Sequence, residues 1–181
     1  MKDNLSIDLE TLDTVPSTKI VSIGAALFDI ETGEVGETVY LPCSLHDQNS
    51  RTMSASTIMW WMSQSDQARA VFNDSDLDLL REQLKMFRAS IGDWTQIKVW
   101  GNGATFDISI LEDAYTRNAE RSDIPWAFWN VRDMRTIVAL AKQLNGFNHR
   151  SIVREGTHHN AVDDAVHQAK VISAAYQSLM P

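Results

Sequence analysis

Cysteine is almost absent from this chain of 181 residues, since Cys43 is the only one. A single cysteine cannot form an internal disulfide or supply a thiolate cluster for a metal, and it is typical of a reducing compartment. Long apolar runs are also missing, because no stretch approaches the roughly 18 apolar residues of a membrane span and the N-terminal residues contain no apolar signal segment. We therefore expect a soluble, cytoplasmic protein that does not bind membranes.

Positive charge is in deficit, with 16 lysines and arginines against 24 acidic residues and a formal net charge of −8. Binding nucleic acid through a broad basic face requires clustered lysine and arginine, so this balance argues against that mode. It does not exclude a nuclease, because carboxylates that hold divalent cations count as negative although the loaded site is not. A nuclease that acts on a strand end also needs only a small footprint.

The apolar content of 44% suits one domain with a hydrophobic core, and no shift in composition or internal repeat divides the chain. We predict a single domain over residues 1–181. The apolar pattern predicts strands at 6–14, 19–30, 35–41, 97–100 and 126–129. It predicts helices at 54–62, with Ser54 or Ser56 as the cap, and at 76–91, 108–115, 131–144 and 162–176. Residues 145–160 form a long polar loop, and such loops are often functional.

Two carboxylates project from the same face of the first predicted strand. A strand alternates sides at every residue, so Asp8 and Glu10 point the same way about 6–7 Å apart, while Leu5, Ile7 and Leu9 point to the core. Like charges at this distance repel each other. Either a cation lies between the two carboxylates, or the strand is an edge strand exposed to water.

Two further acids and a histidine lie at the ends of predicted elements. Asp107 follows the glycine turn after the fourth strand, and Asp164 lies near the start of the last helix. Carboxylate oxygens suit small hard cations, and a pair of such ions about 3.5–4 Å apart can align the attacking water and the leaving oxygen of a phosphodiester. His159 precedes Asp164 by five residues, and its imidazole can take the proton of that water.

Each of these residues also has a simpler explanation when it is taken alone. Asp107 can serve only as a helix cap, and Asp164 can be an acid favoured by the helix dipole in a first turn. His159, beside His158, can be an exposed loop histidine. The set as a whole is more specific than its members.

Three segments resemble the motifs of the DEDDh 3′-to-5′ exonuclease family, which includes the DNA polymerase proofreading subunit and ribonuclease T. They are DLET at 8–11, NGATFD at 102–107 and HNAVDDA at 159–165, in the order of the family and across almost the whole chain. The phrases IDLETLDT, IVSIGAALFD, WW at 60–61 and VRDMRT at 131–136 resemble its exodeoxyribonuclease VIII-like branch. That branch is similar to phage exonuclease A and to a mycobacterial-type exoribonuclease.

This resemblance implies an α/β protein with a ribonuclease H-like fold, a five-stranded mixed sheet flanked by helices. It also implies a mechanism with two divalent cations, Mg²⁺ or Mn²⁺. By motif position, four acids would be metal ligands: Asp8, Glu10, Asp107 and Asp164. His159 would be the general base. His158 and Asp163 are adjacent, but only His159 and Asp164 match the register H-x-A-x-x-D.

The implied substrate is the 3′ end of single-stranded nucleic acid, with DNA slightly favoured over RNA, and the products are nucleoside 5′-monophosphates. Five residues beside the motifs would contact it: Thr11, Leu12, Asn102, Phe106 and Trp61. Consecutive aromatic residues on a helix point to different sides, so one of Trp60 and Trp61 packs in the core and the other can stack on a terminal base. Arg150 and Arg154 either bind phosphates or are solvated loop charges.

Two other functions remain open at this point. A catalytically silent nucleic-acid-binding or assembly module of the same fold would bind no divalent metal. A metal phosphatase or small-nucleotide hydrolase would act on mononucleotide esters but not on oligomers. The sequence does not decide whether the protein forms a homo-oligomer.

Overall fold

The computed structural model describes residues 2–73, 77–91 and 96–181. Its strands are β1 (Asn4–Thr11), β2 (Ile20–Phe28), β3 (Val35–Pro42), β4 (Lys98–Gly101) and β5 (Val131–Asp133). Its α-helices are α1 (Ala55–Met62), α2 (Asp66–Arg69), α3 (Leu80–Ile91), α4 (Asp107–Asn118), α5 (Met134–Asn145) and α6 (Ala161–Leu179). Short 3₁₀ segments lie at Ala70–Phe72, Arg121–Asp123, Phe128–Asn130 and His149–Ser151.

Strand β1 lies at the centre of a mixed sheet with the order β3-β2-β1-β4-β5. It pairs antiparallel with β2 and parallel with β4, while β3 is antiparallel to β2 and β5 is parallel to β4. Helices α3 and α4 pack on one face of the sheet, and α5 and α6 pack on the other. The predicted α/β fold, with a five-stranded mixed sheet flanked by helices, is confirmed.

The two faces of β1 have different roles. Leu5, Ile7 and Leu9 enter the larger core, where they join α3 residues such as Leu84 and Phe87. Full burial of a leucine or phenylalanine side chain contributes about 1.5–3 kcal/mol to folding, so this face anchors the strand. Helix α6 covers the opposite face, and it therefore withdraws the polar side chains there from bulk water.

The edge strand predicted at 126–129 is wrong. Phe128 and Trp129 belong to a 3₁₀ segment and are largely exposed, and the edge strand β5 begins only at Val131. Asp133 ends that strand and caps α5, because its carboxylate accepts the N–H of Thr136 at 2.8 Å. The helix predicted from residue 131 therefore begins at Met134. Apolar periodicity assigned residues 131–133 to the first turn of a helix, but they pair with β4 as the edge strand instead.

Two other helix starts depend on hydrogen-bond acceptors. Ser54, rather than Ser56, caps α1 by accepting the N–H of Thr57 at 3.2 Å. The helix predicted over 76–91 begins at Leu80 among the described residues, where Asp47 from a distant loop accepts its N–H at 3.0 Å. Residue 76 lies outside the described residues. In the part of the chain that the structure describes, no helix combines the length and the apolar character needed to cross a membrane.

Candidate active site

Carboxylates from β1 and α6 meet on the face of the sheet that α6 covers. Oxygen atoms of Asp8, Glu10 and Asp164 all lie within 4.8 Å of one another. Strand alternation places the first two on one face of β1, and Asp164 comes from the first turn of α6. Mg²⁺ binds oxygen at about 2.0–2.1 Å, so small rotations of these side chains would let the carboxylates share one such ion.

Helix α6 comes this close because Gly24 on β2 has no side chain. Gly24 is the partner of Asp8 in the β1–β2 pairing, and a Cβ built on it would overlap the main chain of Ala161 and Val162. Asn160 caps the helix at this point, with its side chain accepting the N–H of Val162 at 3.2 Å. Gly24 therefore sets the distance between β1 and the start of α6.

Asp107, the fourth predicted acid, is buried next to β1. It is the first residue of α4, is 2% exposed, and accepts the N–H of Leu9 at 3.2 Å. Its carboxylate therefore approaches β1 between Asp8 and Glu10, but it is not one of the carboxylates that meet within 4.8 Å. The structure brings Asp107 next to this group without placing it in the group.

Burial makes these acids difficult to ionise on their own. Desolvation, followed by repulsion from neighbouring acids, raises the pKa of Asp8 well above its ordinary value and that of Glu10 to about 8. Desolvation also raises the pKa of Asp107 to about 7, although the N–H of Leu9 opposes this shift. A divalent cation would favour the ionised forms, because it would bring positive charge next to Asp8 and Glu10.

Two side chains already bind these acids. Gln168, one turn after Asp164 on α6, donates its Nε2 to Asp8 Oδ1 at 2.6 Å. Gln168 is buried, at 4% exposure, so this bond fixes the orientation of the Asp8 carboxylate. The guanidinium of Arg154 forms an ion pair with Asp164. Sequence reasoning missed Gln168, although its spacing of four residues from Asp164 places both on one face of a helix.

His159 precedes α6 in a left-handed conformation, with φ of 64°. Residues other than glycine seldom adopt this conformation, and it is often found at functional sites. The N–H of His159 donates to Asp164 Oδ2 at 3.2 Å, and its ring packs edge-on against Trp60 with centroids 4.7 Å apart. Burial and then the neighbouring His158 lower the pKa of His159, against the attraction of Asp164. The neutral imidazole, which can accept a proton, is thereby favoured.

A cavity of about 700 Å³ opens over these residues. Among its walls are four of the five histidines of the chain: His149, His158, His159 and His167. Three of the five residues predicted to contact substrate also line it: Thr11, Asn102 and Phe106. Asn102 is held by Arg135, whose Nε donates to its side-chain oxygen at 3.2 Å. Seven of the ten predicted site residues therefore line one cavity, whereas Asp107, Leu12 and Trp61 are not among its walls.

The two adjacent tryptophans divide between this cavity and the core. Trp61 is 4% exposed, its Nε1 donates to the carbonyl of Thr11 at 2.8 Å, and it belongs to a small core with Leu12. Trp60 is 41% exposed and lines the cavity. Trp61 and Leu12 are therefore not among the cavity walls, and their predicted contacts with substrate stay predictions. The indole of Trp61 points inward to the carbonyl at the end of β1, and Trp60 lies beside His159.

The chain is similar in sequence to known exonucleases. Residues 3–176 match the family described as the 3′-5′ exoribonuclease Rv2179c-like domain. The exodeoxyribonuclease of Enterobacteria phage T4 is 28% identical in an alignment of 155 positions that covers 72% of this chain and 68% of that protein.

Solved structures of exonucleases share the fold. S. pombe Pop2p, in its Mg²⁺- and Mn²⁺-bound form, superposes with a TM-score of 0.59 at 15% identity, covering 95% of this chain and 82% of that one. E. coli exonuclease I in a zinc-bound complex with single-stranded DNA gives 0.63 at 17% identity, over 96% of this chain but only 39% of that one. These likenesses confirm the ribonuclease H-like fold. The family match across residues 3–176, together with the T4 relative, shows that the chain belongs to the Rv2179c-like 3′-5′ exoribonuclease domain family, within the DEDDh exonucleases, and that it is a 3′-5′ exonuclease.

Proposed function

We propose that the chain removes nucleoside 5′-monophosphates one at a time from the 3′ end of single-stranded nucleic acid, with the help of two divalent cations, Mg²⁺ or Mn²⁺. One observation carries this proposal. Carboxylates from β1 and from α6, which are more than 150 residues apart in the sequence, bring their oxygens within 4.8 Å of one another.

The donor set fits these cations. The three carboxylates that meet offer only oxygen, which hard cations prefer, and they are withdrawn from water without enough positive charge to balance them. Asp8, Glu10 and Asp164 would hold the metal ions, and we assign Asp107 to the same set because it reaches β1 between two of them. When bound, such ions lower the pKa of an attacking water and neutralise charge on the phosphate.

The chain itself would position and move the proton. Within the proposal, His159 accepts the proton of the attacking water, because its imidazole is kept neutral and borders the cavity beside Asp164. The contact with Trp60 positions its ring, and the main-chain N–H bond to Asp164 positions its backbone. Gln168 binds one oxygen of Asp8, which would leave the other oxygen for a cation.

The cavity has a suitable size for a terminal nucleotide. Its volume of about 700 Å³ lies in the range of about 300–1,000 Å³ that is usual for small-ligand sites. Trp60 offers a partly exposed indole on which a base can stack, and helix α1, which carries it, has no charged residue to repel or bind phosphates. The T4 relative is named an exodeoxyribonuclease, which supports DNA, whereas the family description names exoribonucleases. We propose single-stranded DNA first and RNA second.

Digestion of end-labelled strands tests this function. Matched DNA and RNA oligomers with a label at the 3′ or the 5′ end would be incubated with Mn²⁺, Mg²⁺ or a chelator. The 3′ label should be released early as mononucleotide, the 5′-labelled strand should shorten stepwise, and chelator should stop both. Internal cuts, metal-independent hydrolysis or action on mononucleotide esters alone would refute the proposal. Absence of both turnover and metal binding would favour a silent binding module.

A further inference from the structure

Arg154 brings a positive charge to the acid cluster at the side of the cavity. Its guanidinium forms an ion pair with Asp164, one of the three carboxylates that meet, and its side chain lines the cavity. A third of the Arg154 side chain is exposed, whereas that of Asp164 is only one-tenth exposed. Arg154 thus occupies a carboxylate that a divalent cation would also bind.

The main chain next to Arg154 is attached to α6. Glu155 forms an ion pair with Lys170 at 2.7 Å, and the N–H of Thr157 donates to Asp163 Oδ2 at 2.7 Å. Both partners, Lys170 and Asp163, belong to α6. These bonds tie the backbone of this segment to the helix, so an Arg154 side chain that leaves Asp164 stays next to the cavity that it lines.

A cation shared by Asp8, Glu10 and Asp164 would compete with Arg154, because it neutralises the same carboxylate and repels the guanidinium. The released guanidinium would still face the cavity, where its planar set of N–H donors matches the oxygens of a phosphate.

We infer that Arg154 is a phosphate-binding residue that exchanges Asp164 for a phosphate of the substrate once the metal ions are bound. This inference rests on the proposed function, since it requires both a metal and a nucleic-acid strand at this site. It gives Arg154 two opposite effects. The residue weakens metal binding to the free protein, and it strengthens binding of the strand to the metal-loaded protein.

Binding measurements on Arg154→Met test both effects without turnover. Mn²⁺ would be titrated into the free protein and followed by the paramagnetic resonance signal of unbound Mn²⁺. The variant should bind Mn²⁺ about fivefold more tightly than the wild type, because the competing cation is gone. A fluorescent single-stranded oligomer with a non-hydrolysable 3′-terminal linkage should bind about tenfold more weakly in Mn²⁺. Without metal, the same oligomer should bind both proteins nearly equally, because Asp164 then holds Arg154.

Arg150→Met is the matched control, since Arg150 lies in the same loop and is exposed. It should leave Mn²⁺ affinity and the metal-dependent part of oligomer binding unchanged. The inference is overturned if Arg154→Met binds Mn²⁺ no more tightly than the wild type, or if its loss of oligomer affinity is the same with and without Mn²⁺. A wild-type protein that binds neither Mn²⁺ nor the oligomer would instead refute the proposed function itself.

Discussion

Gly24 on β2 and Ala161 at the start of α6 lie in direct backbone contact, in the space that a side chain on residue 24 would fill. This contact lies opposite Asp8, since Asp8 and Gly24 are partners across the β1–β2 pairing. The first turn of α6 carries Asp164. The absence of one side chain therefore determines how closely carboxylates from two distant segments approach each other.

Gly24→Ala should therefore weaken metal binding although Gly24 is not a metal ligand. The added Cβ must displace the start of α6, which we expect to cost about 1–3 kcal/mol of unfolding free energy and to weaken Mn²⁺ binding about tenfold or more. Calorimetric titration and chemical denaturation would measure the two effects. Gly146→Ala is the control: Gly146 has φ of 69° with open space around it, so its replacement should lower stability but leave Mn²⁺ affinity unchanged. Normal Mn²⁺ binding by Gly24→Ala would contradict this account.

Asparagine substitutions should distinguish the role of Asp164 from that of its neighbour Asp163. Asp164→Asn removes a proposed metal ligand, so turnover of a 3′-labelled oligomer should fall on the order of 10³-fold or more. Asp163 accepts the N–H of Thr157, and the side-chain oxygen of an asparagine can accept it as well. Asp163→Asn should therefore keep an activity within a few-fold of the wild type. Substantial activity in Asp164→Asn, or its loss only in Asp163→Asn, would move the ligand to the other position.

Removal of Gln168 as a donor should weaken metal binding without removing a ligand. Gln168→Leu keeps the bulk of the side chain but leaves Asp8 Oδ1 without its hydrogen bond, so Mn²⁺ affinity should fall about 10–100-fold. Gln177→Leu, on the same helix but at its exposed end, provides the comparison and should bind Mn²⁺ like the wild type. If both variants bind Mn²⁺ equally well, Gln168 does not position Asp8.

The stability of the metal-free protein should decrease as the pH rises. The pKa of Glu10 is about 8 in the folded protein and near 4.5 in the unfolded chain, so the folded state binds the additional proton between these values. Its contribution is fully present below about pH 4.5 and is lost as the pH rises through about 8. Melting temperatures in chelator should therefore fall from pH 5 to pH 8, and Glu10→Gln should reduce this slope. Saturating Mn²⁺ should stabilise the protein most near pH 8. An increase of stability from pH 5 to pH 8 in chelator would refute the raised pKa of Glu10.

The two tryptophans should respond differently to alanine. Trp60→Ala should raise the KM for oligomers with little change in stability, because Trp60 is partly exposed and lines the cavity. Trp61→Ala should lower the unfolding free energy by about 3–5 kcal/mol, since it empties a buried site and leaves the carbonyl of Thr11 unpaired. Trp129→Ala, at an exposed aromatic residue, should change neither quantity. A larger KM effect from Trp61 than from Trp60 would restore the original prediction.

Local patterns predicted the parts of the site that lie within one element. Strand alternation alone places Asp8 and Glu10 on one face, opposite Leu9, because the period of a strand is two whatever surrounds it. Helical periodicity likewise predicted that His159 precedes the last helix and that Asp164 lies in its first turn. The short edge strand β5 was missed, because three residues carry too little periodicity to distinguish a strand from a helical turn.

The amino-acid sequence by itself determined the order and chemistry of the motifs, the faces of β1 and α6 that carry the acids, and the resemblance to DEDDh exonucleases. Only the tertiary structure decided that α6 packs directly against Gly24 and that Gln168 binds Asp8. It also decided that Trp61 points into the core while Trp60 lines the cavity. The physical reason is that periodicity describes the direction of side chains within one element. The distance between elements depends instead on contacts between residues that lie far apart in the chain.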